Sequence, residues 1–522
     1  MKKEKGLLSK IKKLCVIGVS FLSVNFMALL TFSSFVKTSY ANNMIEQKMI
    51  IGSGQMLSSA IFILGALVIG YIIIQNISED RLNLLLSFTL VLQVLGCVLM
   101  IVFFRSAPGA DALTVYTMAG QLADGDMSFY NFSDSYLSFY PQQIGLIVFL
   151  SMLIKGVKML PFNLSPHHYI KAFYCVLNCM TIVFGYKTVK EIWDNEKISA
   201  AFLLLTIINI PFLLYSSFIY GETPSLAAMS VAAYFLSKAA KIKKAEIINL
   251  AVSSIFLALS VFLRKNSLIF VIAYLITLIL VFMEKRKLVF LLFAVFSLVI
   301  SISILPVTEK IMEKKAGEEI GSGVTMYSYL AMGMQEGARG PGWYNAFNFD
   351  TYLNTGMDTE KTNEIASEAI KERKEYFKEN PKECFAFYRD KFLTQWSDPT
   401  LASLQATHAD FGGRSPFVTE IYEGAYYNIF VTICNLFQNV VCIGAFVWSI
   451  FNLKTVLGVR KFSNTAFIYL GIITVLGGFM FHMIWEANSR YIYPYAMMLI
   501  PYAASGLGSL CKHSYKFREY ED

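Results

Sequence analysis

The chain has 522 residues, 55% of them apolar and only 16% charged, with a mean hydropathy of +0.51. That composition excludes a soluble globular enzyme and is too extended for a single anchor, so the chain reads as a polytopic protein of the lipid bilayer. The net charge of +8 implies no nucleic-acid partner. Its lysines collect in short clusters beside apolar runs, as the positive-inside rule expects of cytoplasmic loops.

The start, MKKEKGLLSKIKK, places six lysines ahead of an apolar run from about Leu14 to Val36. At ~1.5 Å per residue the run is long enough to cross a bilayer and is kept as a helix; cleavage after Ser39-Tyr40-Ala41 is the alternative. Further spans are predicted near 56–76 and 83–104. With a cytoplasmic start, the polar and aromatic loop that follows, carrying Asp111, Asp124, Asp126 and Asp134, lies outside. It reads as the wall of an active site, with a pore or a purely structural loop as the plain alternative.

Apolar runs follow near 142–160, 168–187, 199–219, 224–240, 246–263, 267–283, 288–306, 429–452, 465–484 and 491–510. If all of them crossed, the clusters Lys238/Lys241/Lys243/Lys244, Lys285/Arg286/Lys287, Lys454/Arg460/Lys461 and Lys512/Lys516/Arg518 would face outward. One run therefore fails to cross. The segment 142–160, which follows a proline and ends in Lys155 and Lys158, is predicted to lie in the interface as a juxtamembrane helix. About twelve crossings remain, with both termini cytoplasmic. Asp111, Glu222, Arg264, Lys265, Glu486 and Arg490 then all reach the outer face, and charges gathered at span ends on one face are what a site needs.

The long hydrophilic stretch 307–428 is expected to form a small external helical domain. Within it Thr359 to Asn380 has helical spacing and stops before Pro381, whereas CFAFYRDKFLTQW offers aromatics to the interface. The domains are thus 1–82, additional N-terminal helices; 83–306, a catalytic membrane domain with the loop 105–141 and the juxtamembrane helix; 307–428, the cap; and 429–522, C-terminal spans and a cytoplasmic tail.

Each charged candidate has a structural reading beside the functional one. Asp111, near the cation Arg105, accepts a proton from an attacking hydroxyl or caps the helix ALTVYTMAGQLA. Asp124-Gly125-Asp126 has the form of an Asp-x-Asp metal motif but reads as a turn. Glu222 in YGETPS either faces Asp111 as a second carboxylate or precedes a helix capped by Thr223 and opened by Pro224. Arg264 and Lys265 separate two apolar helices with almost no linker, and a lipid phosphate is the obvious anion for them. In HMIWEANSRYIYPY, His482, Trp485, Glu486 and Arg490 stand where one helix leaves and the next enters; Glu486 pairing with Arg490, within an aromatic belt, is the alternative. Of eight cysteines, Cys97, Cys175, Cys179, Cys434 and Cys442 fall in apolar runs, Cys15 and Cys511 at span ends and Cys384 in a polar segment. They form no disulfide framework or metal-ligand spacing.

The order of these elements, ADALTVYTMAGQLADGD, then FYPQQIGLIVFLSMLIK, YGETPS and a late RYIYP, resembles the GT-C glycosyltransferases. Within them it looks most like the protein O-mannosyltransferase and aminoarabinose transferase group of Gram-positive type, over about 83–510. The resemblance implies an all-α, GT-C-like bundle that transfers a sugar from a polyprenyl-phosphate (undecaprenyl-phosphate) donor to an extracytoplasmic glycan, lipid or protein, in the service of the cell wall or envelope. It also implies Asp111 and Glu222 as catalytic carboxylates, Arg264, Lys265 and Arg490 at the donor phosphate, and Tyr140, Gln142, His482, Trp485 and Glu486 in the substrate pocket. No cofactor is implied, and a divalent metal, used by some relatives, is not favoured. Two departures stand out: the first-loop acidic pair is a lone Asp followed by Ala112, and the Pro-Pro-Leu signature is reduced to Tyr140-Pro141-Gln142-Gln143. The rival functions are a transporter or flippase of lipid-linked saccharides, which predicts charges midway along helices and repeated halves, and a non-catalytic scaffold.

Overall fold

Lipid offers no partner to a backbone N–H or C=O, so a spanning chain must close its hydrogen bonds within helices. The computed structural model describes residues 2–44, 46–75, 77–130, 135–161, 165–241, 246–458 and 466–510. In chain order its helices are α1 (Lys2–Val36), α2 (Met56–Gln75), α3 (Glu79–Leu99, carried on by a π-turn to Phe104), α4 (Asp111–Ala123), α5 (Tyr136–Phe139), α6 (Ile144–Lys158), α7 (Pro166–Trp193), α8 (Glu196–Ile207), α9 (Ile210–Leu214), α10 (Glu222–Lys241), α11 (Glu246–Leu263) and α12 (Leu268–Lys285). They continue as α13 (Val289–Ala316), α14 (Met326–Gly333), α15 (Phe347–Asn354), α16 (Thr359–Glu379), α17 (Pro381–Trp396), α18 (Ser403–Thr407), α19 (Pro416–Glu423), α20 (Tyr427–Gly458), α21 (Tyr469–Ile484) and α22 (Ser489–Leu510). Between α1 and α2 an antiparallel hairpin, β1 (Lys37–Ala41) and β2 (Met49–Ser53), pairs Ser39 with Ile51. Nothing in the sequence reading anticipated it.

Among the described residues, nine helices are long and apolar enough to cross a membrane, and the bent pair α8–α9 makes a tenth. At 20 and 22 residues, α10 and α22 also have membrane length. From Glu222 to Ala239 and from Ser489 to Ser509 they expose no side chain. Helices so enclosed meet protein rather than lipid and can carry polar residues that an outer helix would not. With these two, the segments of membrane length reach the number read from the sequence, and the chain is an all-α multi-pass membrane protein.

Three local features place the site. Helix α6 has only 15 residues, about 22 Å of rise against ~30 Å of hydrocarbon. It is seated directly on the end of α11, since a Cβ on Gly145 would collide with the carbonyl oxygen of Phe262. The run 199–219 is not one straight span: α8 and α9 meet at 63°. Pro211 lacks the N–H that would continue α8, and the Asn209 side chain caps the new helix by accepting the Phe212 N–H at 3.1 Å.

The N-terminal helix is integrated in the bundle. Lys12 pairs with Glu284 of α12 at 2.8 Å, both nearly buried, and Phe26 packs edge-on to Trp396 at 5.1 Å. Ser39 of the hairpin donates to the carbonyls of Ser397 and Leu393. The boundary read at 306/307 falls inside α13, which runs on past Pro306 to Ala316. Helix α16 is capped by Asp358, whose carboxylate accepts the N–H groups of Glu360 and Lys361. Of the aromatics of α17, Phe387, Phe392 and Trp396 are buried against other helices and Phe385 is exposed. Asp134, Lys243, Lys244, Arg460, Lys461, Cys511, Lys512, Lys516 and Arg518 lie outside the described residues.

Candidate functional site

Four helix ends bring their charges together: the starts of α4, α10 and α22 and the end of α11. Glu222 is the first residue of α10 and is 1% exposed. Its Oε1 is paired with Arg264 Nη1 and, at 3.5 Å, with Arg490 Nε. The two guanidinium side chains are only 9% and 19% exposed. Arg490 also lies over the rings of Tyr220 and Tyr491, at 5.4 and 5.5 Å, and Arg264 over Tyr491 at 5.7 Å. One buried carboxylate thus holds two cations, and neither Arg264 Nε nor Arg490 Nε has a hydrogen-bond acceptor. Such an arrangement has charge and donors to spare for a second anion.

Asp111 stands at the rim of this cluster. It is the first residue of α4, is exposed, and among the described residues has no ion-pair or hydrogen-bond partner. Ala110, with φ of 46°, precedes it in the cap position, so Asp111 is not the cap that one reading made it. Its charge nevertheless reaches Tyr140, Tyr220, Glu486 and Arg490. Tyr220 lies within electrostatic range of Glu222 as well. Burial, reinforced by the neighbouring acids, holds the phenols of Tyr140 and Tyr220 above their ordinary range. Arg105, expected beside Asp111, instead donates to the carbonyl of Gly413 at 3.2 Å.

The turn between α21 and α22 supplies the rest. Glu486 is 9% exposed and accepts the Tyr491 hydroxyl at 3.1 Å. Burial lifts its carboxyl to about 7, against the pull of Arg490. Trp485 stacks on Tyr329 of α14, centroids 5.2 Å apart. His482 is fully buried, stacks on Tyr491 at 5.4 Å and has only long contacts, 3.4 Å to the Glu486 carbonyl and 3.5 Å to the Tyr495 hydroxyl. A raised folded-state pKa means that folding favours protonated Glu486. The associated stability is complete below the unfolded value near 4.5 and is lost as pH rises through about 7. We therefore expect Glu486→Gln to melt close to the wild type at ~pH 5 and to be more stable by on the order of 3 kcal/mol at ~pH 8, a difference that thermal unfolding in detergent would read.

Several expectations need correction. Arg490 pairs with Glu222 rather than Glu486. Thr223 does not cap α10; its hydroxyl donates to the Tyr215 carbonyl at 2.9 Å. Lys265 is exposed and close to Glu309, outside the Glu222 cluster. Gln142 is half-buried, and it is the next residue, Gln143, whose amide reaches the Tyr220 hydroxyl at 2.6 Å. Asp124-Gly125-Asp126, by contrast, is the turn read from the sequence: Gly125 has φ of +81°, Asp126 accepts the Ser128 N–H and Asp124 pairs with Lys158.

Among the buried charges that the sequence reading missed, two lie close to the turn between α21 and α22. Asp398 accepts four hydrogen bonds, from the Thr400 N–H and hydroxyl, the Ala402 N–H and the Ser489 hydroxyl, tying the loop after α17 to the start of α22. Lys391 of α17 donates to the carbonyls of Gly333 and Trp485. Neither carries a sequence signal, since Asp-Pro reads as a turn and Lys391 sits in the ordinary charged run Arg389-Asp390-Lys391.

Among the described residues no three His, Cys, Asp or Glu side chains come together as metal ligands. A cavity of about 130 Å³ lies within the bundle, lined by Met229, Ser230, Ala233, Met497 and Tyr502 among others. It begins one to two turns below Glu222 on α10 and about two turns below Arg490 on α22.

No family model matches the sequence, and neither does any curated protein. Solved structures with a similar arrangement include the archaeal oligosaccharyltransferase AglB from Archaeoglobus fulgidus in complex with an inhibitory peptide and a dolichol-phosphate, at 13% identity and a TM-score of 0.42 over 82% of this chain and 50% of that one. The Archaeoglobus fulgidus oligosaccharyltransferase in its apo form aligns at 13% identity, TM-score 0.43 and the same coverage. The form tethered to an acceptor peptide aligns at 12% identity and 0.41, over 81% and 49%. The chain spans about half the length of these structures, and a likeness of this size carries no argument about its activity.

Proposed function

We propose that this chain is a membrane glycosyltransferase of GT-C type that moves a sugar from a polyprenyl-phosphate donor to an acceptor hydroxyl on the outer face of the membrane. The observation that carries the reading is the convergence of Arg264 and Arg490 on one buried carboxylate, with unused N–H donors, beside the unpaired Asp111. A phosphate-sized anion and a proton acceptor are the two things such a transfer requires.

The orientation has support of its own. Helices α10 and α12 start at the site and end in Lys238 and Lys241 and in Lys285. Lys12, in the lysine-rich start, is paired to Glu284 at that same far end. A basic end is the mark of a cytoplasmic side, which supports a site at the outer leaflet.

In the mechanism, the acceptor oxygen attacks the anomeric carbon of the donor sugar and its proton passes to Asp111. The bond from the anomeric carbon to the phosphate oxygen breaks, and its electron pair leaves with the polyprenyl phosphate. Arg264 and Arg490 stabilise that charge as it develops. Glu222 orients the guanidinium groups. Tyr140, Trp485 and Glu486 face the sugar.

The test uses the purified full chain in nanodiscs, given polyprenyl-phosphate sugars labelled in the sugar and envelope glycans, lipids or peptides as acceptors. Label should move to an acceptor with equimolar release of polyprenyl phosphate. In sealed proteoliposomes, appearance of intact donor in the opposite leaflet without cleavage would support a flippase and overturn the proposal.

A further inference from the structure

Lys391 is fully buried, whereas its neighbours Arg389 and Asp390 pair with each other at the surface. Among the described residues no carboxylate lies within 4 Å of it. Its Nζ donates instead to two carbonyls from distant segments, those of Gly333, the last residue of α14, and of Trp485, at 2.7 Å. Burying an ammonium without a counter-ion is costly. Only a group with several donors on a long stem can satisfy two facing carbonyls, and an apolar side chain would leave both unpaired.

The same turn is gripped at a second point. The Ala487 N–H donates to the Gly342 carbonyl at 2.7 Å, and the Gly342 N–H to the Gln335 carbonyl at 2.8 Å. There is no room for a side chain in this joint. A Cβ on Gly333 would lie 2.7 Å from the carbonyl oxygens of Ile484 and Trp485; on Gly342, where φ is +69°, it would lie 2.7 Å from Lys391 Nζ. The ring of Trp485 closes the contact by stacking on Tyr329. The segment held in this way, 484–490, carries Glu486 and delivers Arg490 to Glu222.

We propose that Lys391 is a positioning residue that locks the 484–490 turn to the cap helices α14 and α17 and thereby sets Arg490 and Glu486 in register with Asp111. The consequence for turnover rests on the glycosyl-transfer reading; the lock itself does not. Lys391→Met should lower kcat by roughly 10- to 100-fold while the KM for the donor stays within about twofold, because misplacement by a fraction of an ångström acts on the transition state more than on binding.

Hydrogen–deuterium exchange of the same protein in detergent supplies a readout without activity. Exchange should rise in 484–490 and 334–343 and stay unchanged along α10 and α20. Gly342→Ala, which keeps the lysine but crowds it, should reproduce both effects. Wild-type kcat and exchange in Lys391→Met would overturn the proposal, as would exchange rising throughout the bundle in step with lost activity, since Lys391 would then be a general stabiliser. If the wild type transfers no sugar yet the variant loosens 484–490 alone, the transfer reading falls and the lock stands.

Discussion

Asp111→Asn is expected to lower the rate of sugar transfer by ~10²–10⁴-fold, the range a positioned general base contributes, while leaving the protein folded. The substitution keeps the shape of the side chain and one acceptor oxygen but removes the capacity to take the acceptor's proton. Its structural cost is bounded. Asp111 is exposed and unpaired at the start of α4, so the loss is at most the favourable interaction of an acid with a helix N-terminus, ~0.3–1 kcal/mol. The measurement is the initial rate of labelled-sugar transfer beside a melting curve in detergent. Asp126→Asn is the matching control, since Asp126 is held in its turn by the Ser128 N–H and its loss should leave the rate near normal. A normal rate in Asp111→Asn, or an equal loss in both variants, would remove Asp111 from the chemistry.

Much of this site was legible in the sequence because helix ends are. Hydropathy fixes where a span begins and stops, and the charges of Asp111, Glu222, Arg264, Glu486 and Arg490 stand within a few residues of such ends; once the basic clusters set direction, they share a face. Partners were not legible. Arg490 has Glu486 one helical turn away, and local spacing favours that pair, yet the fold swings the guanidinium to Glu222 on another helix and leaves Glu486 to Tyr491. Gln143 rather than Gln142 reaches Tyr220 because the turn before α6 sets the facing, which a list of polar residues lacks. Lys391 and Asp398 were invisible for a different reason: burial of a charge is decided by what the cap packs against, and short polar motifs look alike in either setting. The enclosure of α10 and α22 likewise lowers their hydropathy without taking them out of the membrane.

The second large effect falls on Glu222 and separates its two roles. Two buried guanidinium groups depend on this carboxylate, so Glu222→Ala leaves them facing each other in a poorly solvated place, and we expect a loss of about 3–5 kcal/mol of stability, the usual consequence of removing one member of a buried ion cluster. Arg264→Met should cost less, since Glu222 keeps Arg490. If Glu222 is the counter-ion, the double variant Glu222→Ala/Arg264→Met removes one charge of each sign and should be distinctly more stable than the two single losses added together, with a coupling of ~1–3 kcal/mol. If Glu222 were instead a second catalytic carboxylate, Glu222→Gln would lose transfer with an unchanged melting curve, and no such coupling would appear. Chemical unfolding of the wild type and the four variants in one detergent, with the transfer rate of Glu222→Gln, decides between these outcomes. The geometry favours the first, because Glu222 is buried between two guanidinium groups that both pair with its Oε1, whereas Asp111 is exposed and among the described residues has no partner.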